Sequence, residues 1–453
     1  MAAPYTLTLS QMTDAIRRKK LSPLELAESL LKRIEDLDSS LKAWVTIDGD
    51  SVRREARRCQ EEAARGKFRG PLHGIPIGVK DIFYTAGMRT TAGSRIFKDF
   101  IPAFDATAVV RLRQAGAIVL GKTATTEFAH ADPAPTRNPW NLNHTPGGSS
   151  SGSAAAVAVS MCPGALGTQT GGSVLRPAAY CGIVGLKPTY GRISRFGVFP
   201  FAYTLDHVGV LTRTVKDASL LLTALAGFDP NDLTSSREPV PDYSKFLRPL
   251  RRPLHIGIVR SFYEENAGKQ VWKNTESVIK RLSRAGARVE EVEMPPSFSV
   301  VHDAHGLIQR VEAASFHEKL FGKHRTLYRI NLRQHIEAGL LVPSVDYLRA
   351  QKIKGLFRQE MTEILRAYDL LLTPATSSAA PKGLASTGKP WFQVPWSLSG
   401  LPTVGLPSGL NDRGLPLAIQ LVGKAFGEGP LLAAARWIEA ALGISLSPEL
   451  GDR

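Results

Sequence analysis

Two serines in glycine-rich loops and one lysine after an apolar run are the residues in this chain best suited to chemistry. Ser149 and Ser173 each follow a pair of glycines, and Lys80 follows the run 75–79. Small residues before a serine let several backbone N–H groups converge on one oxygen, which is the geometry of an anion hole. A lysine buried at a strand end loses its proton near neutral pH and then acts as a base. Hydrolysis of an amide needs these parts: a nucleophile, a base that returns its proton to the leaving nitrogen, and donors for the oxyanion.

The segments around these residues resemble the amidase signature family. The resemblance is carried by GIPIGVKD at 74–81 and by the glycine- and serine-rich stretch from Gly147 to Gly191. Shorter segments that look like the family's are 136–140, 186–189 and 414–423. The resemblance covers roughly residue 7 to the C-terminus and is weakest over 230–360. It implies hydrolysis of amides and related carbonyl compounds by a serine–cis-serine–lysine triad, with no cofactor and no metal.

The resemblance gives each of these residues a role. It makes Ser173 the nucleophile, Ser149 the bridging serine with a cis peptide bond before it, and Lys80 the base that draws a proton from Ser149. It builds the oxyanion hole from consecutive backbone N–H groups, those of Thr170, Gly171, Gly172 and Ser173. Residues 148–152 also match G-x-S-x-G, but a nucleophile elbow follows a hydrophobic strand and this segment follows a polar loop. Ser150 is therefore not expected to be the nucleophile.

Two positions depart from the common pattern of the family. Gln169 stands where many members have aspartate, and Arg176 lies three residues after Ser173, whereas many members have arginine two residues after the nucleophile. The spacing of Arg176 resembles the malonamidase-like branch, in which the arginine binds a substrate carboxylate. Two interpretations of Arg176 stay open: a ligand for carboxylate-bearing amides, or a structural arginine paired with a nearby acidic side chain.

The predicted function is hydrolysis of C–N bonds in small aryl amides and carbamates (urethanes), with side esterase activity, through an acyl-enzyme. Three alternatives stay open. The first is the A subunit of a tRNA-dependent amidotransferase, which uses the same triad to release ammonia from glutamine. The second is a malonamidase-like hydrolase of carboxylate-bearing amides. The third is a catalytically silent basic binding module.

The aryl preference rests on aromatic residues near the presumed pocket. One group follows the nucleophile region and another lies near the C-terminus, and such a set favours an apolar, aryl-accepting cleft. The residues are Phe196, Phe199, Phe201, Tyr203, Trp391, Phe392 and Trp396.

Helices and strands alternate around these residues. Ser22, Pro23 and Glu25 predict a helix start, because they supply a serine cap, a proline at the first helical position and a glutamate three residues after the cap. Apolar runs at 75–79 and 117–120 predict buried strands on either side of a helix over 106–115. Residues 147–151 predict a tight loop before a buried helix, and 164–172 predict a strand before a second tight loop. The expected fold is α/β, a central mixed β-sheet flanked by helices on both sides, with the triad at one sheet edge.

Length and composition favour one globular body. The 453 residues are 43% hydrophobic and 22% charged, which supplies enough apolar material for a core. We expect a single amidase domain over 1–453, with an N-terminal helical layer at about 5–66 and a more variable, partly exposed region at about 229–345. The chain has no apolar run of about 18 residues, no signal-peptide pattern and only three cysteines. A cytoplasmic location is therefore expected.

The formal net charge of +16 allows two interpretations, an anionic partner or a basic surface that favours solubility. The basic residues are scattered, and no nucleic-acid-binding motif accompanies them. We therefore expect a small-molecule amide or carbamate as the partner, neither nucleic acid nor membrane, and a monomer or homodimer.

Overall fold

The computed structural model describes residues 3–450, and the strands in that range form one eleven-stranded mixed sheet. The strands are β1 Trp44–Ile47, β2 Pro76–Lys80, β3 Ile118–Thr123, β4 Gly164–Gln169, β5 Val184–Lys187, β6 His207–Thr212, β7 His255–Ile258, β8 Arg288–Glu291, β9 Leu370–Pro374, β10 Thr403–Leu410 and β11 Pro416–Val422.

Fourteen α-helices accompany this sheet within residues 3–450. They are α1 Leu9–Arg17, α2 Pro23–Leu41, α3 Gly49–Ala64, α4 Thr107–Gln114, α5 Ser151–Ala158, α6 Leu175–Cys181, α7 Val215–Leu225, α8 Ser261–Asn266, α9 Lys269–Arg284, α10 Val301–His324, α11 Ile330–Leu340, α12 Ser344–Ile364, α13 Val394–Leu398 and α14 Glu428–Leu442. The predicted helix start at α2 is confirmed: Glu25 N donates to Ser22 Oγ at 3.1 Å, and Ser22 N donates to the Glu25 carboxylate at 3.0 Å.

The sheet has the strand order β1-β3-β2-β4-β6-β5-β10-β11-β9-β7-β8. β2 pairs in parallel with both β3 and β4, and β7 pairs in parallel with β8 and β9, while the other neighbours are antiparallel. Lys80 ends β2 and Gln169 ends β4, so the carboxyl ends of two inner strands lie side by side. The expectation of a site at one sheet edge needs this correction: the residues lie at the ends of inner strands, not beside an outer strand.

Side chains of the inner strands alternate between two apolar cores, as the pleat of a strand requires. In β3, Ile118 and Leu120 pack into a core shared with α2, α3, α5 and α6. Val119 of the same strand packs into the opposite core, which includes residues of α1, α4, α7 and α14. Both faces of the sheet are thus covered by helices, and the predicted α/β fold is confirmed.

The helix α5 is buried on every side, because its sequence contains only small residues and one valine. A Cβ atom at Gly152 would lie 2.2 Å from the Ala43 carbonyl oxygen and 2.3 Å from Ala124 N, so only glycine fits there. The tight loop and buried helix predicted after Gly147 are both present. This close packing fixes the start of the helix directly after Ser149 and Ser150.

The region over 229–345 contributes β7 and β8 to the common sheet and the helices α8 to α11 to its surroundings. The helices α10, α11 and α12 pack on one another. The domain boundaries given above stay a prediction. Among the residues that the structure describes, no helix is both long and apolar enough to cross a membrane.

Candidate active site

Lys80 is fully buried at the carboxyl end of β2, where its amine contacts two hydroxyl groups. Its Nζ atom lies 2.7 Å from Ser149 Oγ and 2.8 Å from Thr168 Oγ1. Burial lowers the pKa of Lys80 well below its ordinary value, and the negative charge of Asp206 offsets part of that change. The neutral amine is therefore favoured, and this is the form that accepts a proton from a serine hydroxyl.

Ser149 lies in the loop before α5, and the peptide bond between Gly148 and Ser149 is cis. The side chain is 1% exposed, so its hydroxyl is shielded from bulk water on the side of Lys80. The next residue links this loop to the second serine loop, because Ser150 N donates to the Ser173 carbonyl at 3.3 Å. The two serines are thus held in adjacent loops, each beside the end of β4.

Ser173 lies between the end of β4 and the start of α6 and is 8% exposed. Its hydroxyl makes no hydrogen bond with any part of residues 3–450, including Ser149. The backbone N–H groups of Gly171, Gly172 and Ser173 likewise donate to no acceptor within that range. They are the donors that an oxyanion at this place would need.

Gln169 holds the loop of Ser173 at both ends. Its Oε1 atom accepts from Val174 N at 2.9 Å and from Leu175 N at 3.0 Å, and its Nε2 atom donates to Ser397 Oγ at 3.0 Å. Ser397 Oγ in turn donates to the Gly171 carbonyl at 2.7 Å. Glutamine can make this arrangement because its amide both accepts and donates, whereas an ionised aspartate only accepts.

Thr170 is fixed by two residues that lie far from it in the sequence. Its Oγ1 atom donates to Asp206 Oδ1 at 2.5 Å, and its carbonyl accepts from His305 Nε2 at 3.0 Å. Burial lowers the pKa of His305 to about 4, so the ring stays neutral and donates from Nε2. Sequence reasoning did not find His305 or Thr168 as part of this site. Nothing in the local sequence of α10 marks His305, because its function depends on a contact made by the fold.

Arg176 is fully buried in α6, and its guanidinium reaches the loop of Ser149. Its Nη2 atom donates to the Gly148 carbonyl at 2.6 Å and to Thr387 Oγ1 at 3.1 Å, whereas its Nε atom has no partner within residues 3–450. Burial lowers the pKa of Arg176 to about 10. No acidic side chain in the described range pairs with it, so the acid partner expected for a structural arginine is replaced by a carbonyl and a hydroxyl. Binding of a substrate carboxylate by Arg176 stays a prediction.

A cavity of about 310 Å³ adjoins this site. Thr168 and Thr170 are among its lining residues, and they connect it to Lys80, which contacts Thr168, and to the loop of Ser173. Its walls are largely apolar and include Ile82, Phe196, Val198, Phe199, Phe201, Tyr203 and Val208. All four aromatic residues predicted after the nucleophile region thus line this cavity, whereas Lys80, Ser149 and Ser173 do not, and acceptance of an aryl substrate stays a prediction.

The second predicted group of aromatic residues does not line this cavity. Phe392 and Trp396 are buried against Tyr263 in the core, with ring centroids 4.8 Å and 6.4 Å from that of Tyr263. Trp391 is 42% exposed and lies beneath Lys389, whose Nζ atom is 4.1 Å from the ring centroid. Composition alone could not tell which aromatic residues face the core.

The charged groups of the cavity wall already have hydrogen-bond partners inside the protein. Asp206 accepts from Phe201 N at 2.7 Å in addition to Thr170 Oγ1, and Asp232 accepts from Arg195 N at 2.8 Å. The Arg195 guanidinium donates to the Tyr203 carbonyl and lies 4.7 Å from the centroid of the Tyr203 ring. The carboxylates of the wall are therefore satisfied, whereas Arg195 Nε and His207 Nε2, in two other residues that line the cavity, have no partner within residues 3–450.

Within residues 3–450, one group of side chains has the spacing of metal ligands: Cys59, Glu62 and His73. The ligand atoms of His73 and Glu62 are already engaged. His73 Nε2 lies 2.9 Å from the Cys59 carbonyl, His73 Nδ1 accepts from Arg69 N, and Arg69 binds the Glu62 carboxylate. The group lies away from the two serines and is not suited to hold an ion.

Comparison with known proteins places these features in a family context. A family model described as Amidase matches residues 25–432. The A subunit of the glutamyl-tRNA(Gln) amidotransferase of Geobacter metallireducens is 38% identical over 475 residues, which cover 96% of this chain and 97% of that protein. The peptide amidase of Stenotrophomonas maltophilia has a TM-score of 0.86 at 31% identity, covering 98% of this chain and 99% of the other. A protein from a vestigial complex linked to the origins of an s-triazine catabolic enzyme has a TM-score of 0.91 at 30% identity, covering 98% and 100%.

Proposed function

Because this chain belongs to the amidase family and is an enzyme that acts on C–N bonds, we propose that it hydrolyses small aryl amides and aryl carbamates through a serine acyl-enzyme. The observation that carries this proposal is the apolar, aromatic cavity whose lining includes Thr168, the residue that contacts the buried amine of Lys80, and Thr170, the first residue of the loop that holds Ser173. We expect the cavity to hold the aromatic ring of the substrate, and the attached carbonyl group to lie beyond Thr170, toward Ser173.

In the proposed mechanism, neutral Lys80 takes the proton of Ser149, and Ser149 takes the proton of Ser173 as its Oγ atom bonds to the carbonyl carbon. The backbone N–H groups of residues 170–173 stabilise the oxyanion. The proton then returns through Ser149 to the leaving nitrogen, the C–N bond breaks, and the acyl group stays on Ser173. Water repeats the same steps on the acyl-enzyme and releases the acid.

The character of the cavity wall separates this substrate class from glutamine. Glutamine carries a free amino and a free carboxylate group, and each needs a charged or polar partner that is not already satisfied. In this cavity Asp206 and Asp232, the two acidic residues that a free amino group would need, are hydrogen-bonded to the protein itself. An aryl group needs no such partner. A carbamate differs from an amide by one oxygen on the acyl side, which the oxyanion donors do not exclude, and an ester has an easier leaving group.

A second candidate function is the glutaminase component of a tRNA-dependent amidotransferase. It is supported by two relatives that are 38% and 36% identical over nearly the whole chain, the A subunits of the glutamyl-tRNA(Gln) amidotransferases of Geobacter metallireducens and Halothermothrix orenii. Under this function the chain would act with further subunits, and glutamine rather than an anilide would be its substrate.

The two functions differ in what the isolated chain does. We expect the purified protein alone, without ATP or other subunits, to release aniline from an anilide and from an N-aryl carbamate. Aniline release measured by chromatography tests this, and the same measurement on Ser173→Ala is the matched control. Absence of release from both compounds, together with glutamine turnover only after partner subunits are added, would replace the proposed function by the second candidate.

Arg176 is proposed as a positioning residue that holds the peptide before Ser149. Arg176→Lys keeps the charge but loses the fork that reaches Gly148 and Thr387 together. A hydrogen bond from a charged donor contributes about 1.5–3 kcal/mol, so kcat should fall by about 10- to 100-fold for neutral and acidic amides alike, with KM nearly constant. Thr387→Val removes one of the two acceptors and should cost less. If Arg176 instead binds a carboxylate, Arg176→Lys raises KM for acidic amides alone.

A further inference from the structure

Four exposed apolar side chains border the mouth of the cavity. Phe104, Phe196, Tyr203 and Leu233 are 44%, 38%, 49% and 91% exposed. Three of them, Phe196, Tyr203 and Leu233, also line the cavity, and Phe104 stacks on Phe196 with ring centroids 5.5 Å apart and an angle of 26°. Single exposed apolar residues are common, but an apolar set continuous with a cavity indicates a binding surface. We call these four residues the apolar rim.

The exposure of Leu233 is built into its turn. The preceding Asp232 accepts from Thr234 N at 3.0 Å and from Thr234 Oγ1 at 2.7 Å with one carboxylate oxygen, and from Arg195 N at 2.8 Å with the other. Asp229 accepts from Ser194 Oγ at 2.5 Å. These bonds tie the turn to Ser194 and Arg195, at the start of the segment 195–201 that also lines the cavity. The leucine side chain is therefore held in solvent at the entrance.

Tyr203, a second residue of the rim, is also fixed. Its carbonyl accepts from the Arg195 guanidinium and from Tyr190 Oη, the latter at 2.9 Å. The Arg195 guanidinium also lies against the Tyr203 ring, 4.7 Å from its centroid. A ring held in this way loses little conformational entropy when a ligand covers it.

The size of the cavity decides which part of a ligand the rim contacts. A cavity of about 150 Å³ is enough for one benzene molecule. The cavity of about 310 Å³ is about twice as large, so two rings would fill it and leave no room for the carbonyl group and the linkers between them. Any further aromatic group of the substrate must lie at the entrance, against the rim.

Because the rim is continuous with the cavity, we propose that it is a second subsite, which binds an additional aromatic ring of the substrate at the entrance of the cavity. The inference rests on the function proposed above and narrows it to amides and carbamates with two aromatic groups. One ring occupies the cavity, and the other packs on Phe104, Phe196 and Leu233. An aromatic contact of this kind is worth about 0.5–1.5 kcal/mol beyond area burial, which corresponds to about 3- to 10-fold in affinity.

The test compares one-ring and two-ring anilides that are identical around the scissile bond. Two series are used: the second ring is attached on the acyl side in one and on the nitrogen side in the other. In the wild type, kcat/KM should be at least about 3-fold higher for the two-ring compound in one of the series. Leu233→Ser and Phe104→Ala should each remove most of this preference. Leu410→Ser changes a leucine that is 45% exposed and does not line the cavity, so it should leave the preference unchanged.

Equal kcat/KM for one-ring and two-ring compounds in both series would overturn the rim inference, as would a preference that survives both rim substitutions. The affinities of the same compounds for Ser173→Ala, measured by calorimetry, distinguish failure of the rim inference from failure of the proposed catalytic function. Absence of turnover with a preserved preference for two rings in binding would overturn the catalytic proposal alone. Equal affinities for one-ring and two-ring compounds would overturn the rim inference, whether or not turnover occurs.

Discussion

Ser173→Ala is expected to lower kcat for an anilide by about 10⁴-fold or more while the protein keeps its fold. Loss of the nucleophile in a serine hydrolase leaves only the contribution of the oxyanion donors and of substrate binding. The hydroxyl of Ser173 makes no hydrogen bond within residues 3–450, so its removal breaks no structural contact there. Single-turnover kinetics should show no acyl-enzyme, and the melting temperature should stay within a few degrees of the wild-type value.

A covalent label distinguishes Ser173 from its neighbours. Intact mass after incubation with a serine-reactive phosphonate should show one adduct, and peptide mapping should place it on Ser173. Ser150 is fully buried, and its Oγ atom contacts the Thr168 carbonyl at 3.3 Å, so it should stay unmodified. An adduct on Ser150 would contradict this prediction and make Ser150 the nucleophile.

Local signals in the sequence were sufficient to predict much of the fold. The serine, proline and glutamate at 22–25 form the cap that starts α2, because a capping box needs only residues within one turn. The alanine- and valine-rich run 154–159 predicted a buried helix after the tight loop at 147–151, and this helix is α5. Short elements without a strong pattern escaped prediction. The strand β1, Trp44–Ile47, is only half-buried, and it pairs with β3 at the edge of the sheet.

The support of the candidate site was not predictable, because its contacts join residues far apart in the chain. His305 donates to Thr170, and Thr387 accepts from Arg176, yet no periodicity or motif connects either pair. The same limit explains the aromatic residues near the C-terminus. The local sequence around Trp396 does not reveal whether its ring packs in the core or faces a cavity. The position of the ring depends on how the strands and helices are arranged around Tyr263.

The second large expected effect is the loss of kcat on substitution of Lys80 or Ser149, the two residues of the proposed proton relay. The two losses are expected to be non-additive. A positioned acid or base contributes about 10² to 10⁴ in rate, so Lys80→Met and Ser149→Ala should each lower kcat by at least that factor. Methionine is chosen because Lys80 is fully buried and a similar volume avoids a cavity. Lys80 Nζ and Ser149 Oγ lie 2.7 Å apart and transfer the same proton in the proposed mechanism, so the double variant should be little slower than the slower single variant. Two losses that multiply would mean that the residues act independently.

The pH dependence of this relay follows from the burial of Lys80. Since burial lowers the pKa of Lys80, the active neutral amine persists to lower pH than for an ordinary lysine, and kcat/KM falls only below that lowered pKa, as the amine becomes charged. Thr168→Val removes a hydroxyl acceptor that favours the charged amine, so it should move this acid limb to still lower pH. Burial also lowers the pKa of Lys187 to about 7, which makes Lys187→Met the necessary control. If the limb disappears in folded Lys187→Met and is unmoved in Thr168→Val, the titrating base is Lys187 and the relay through Ser149 is wrong.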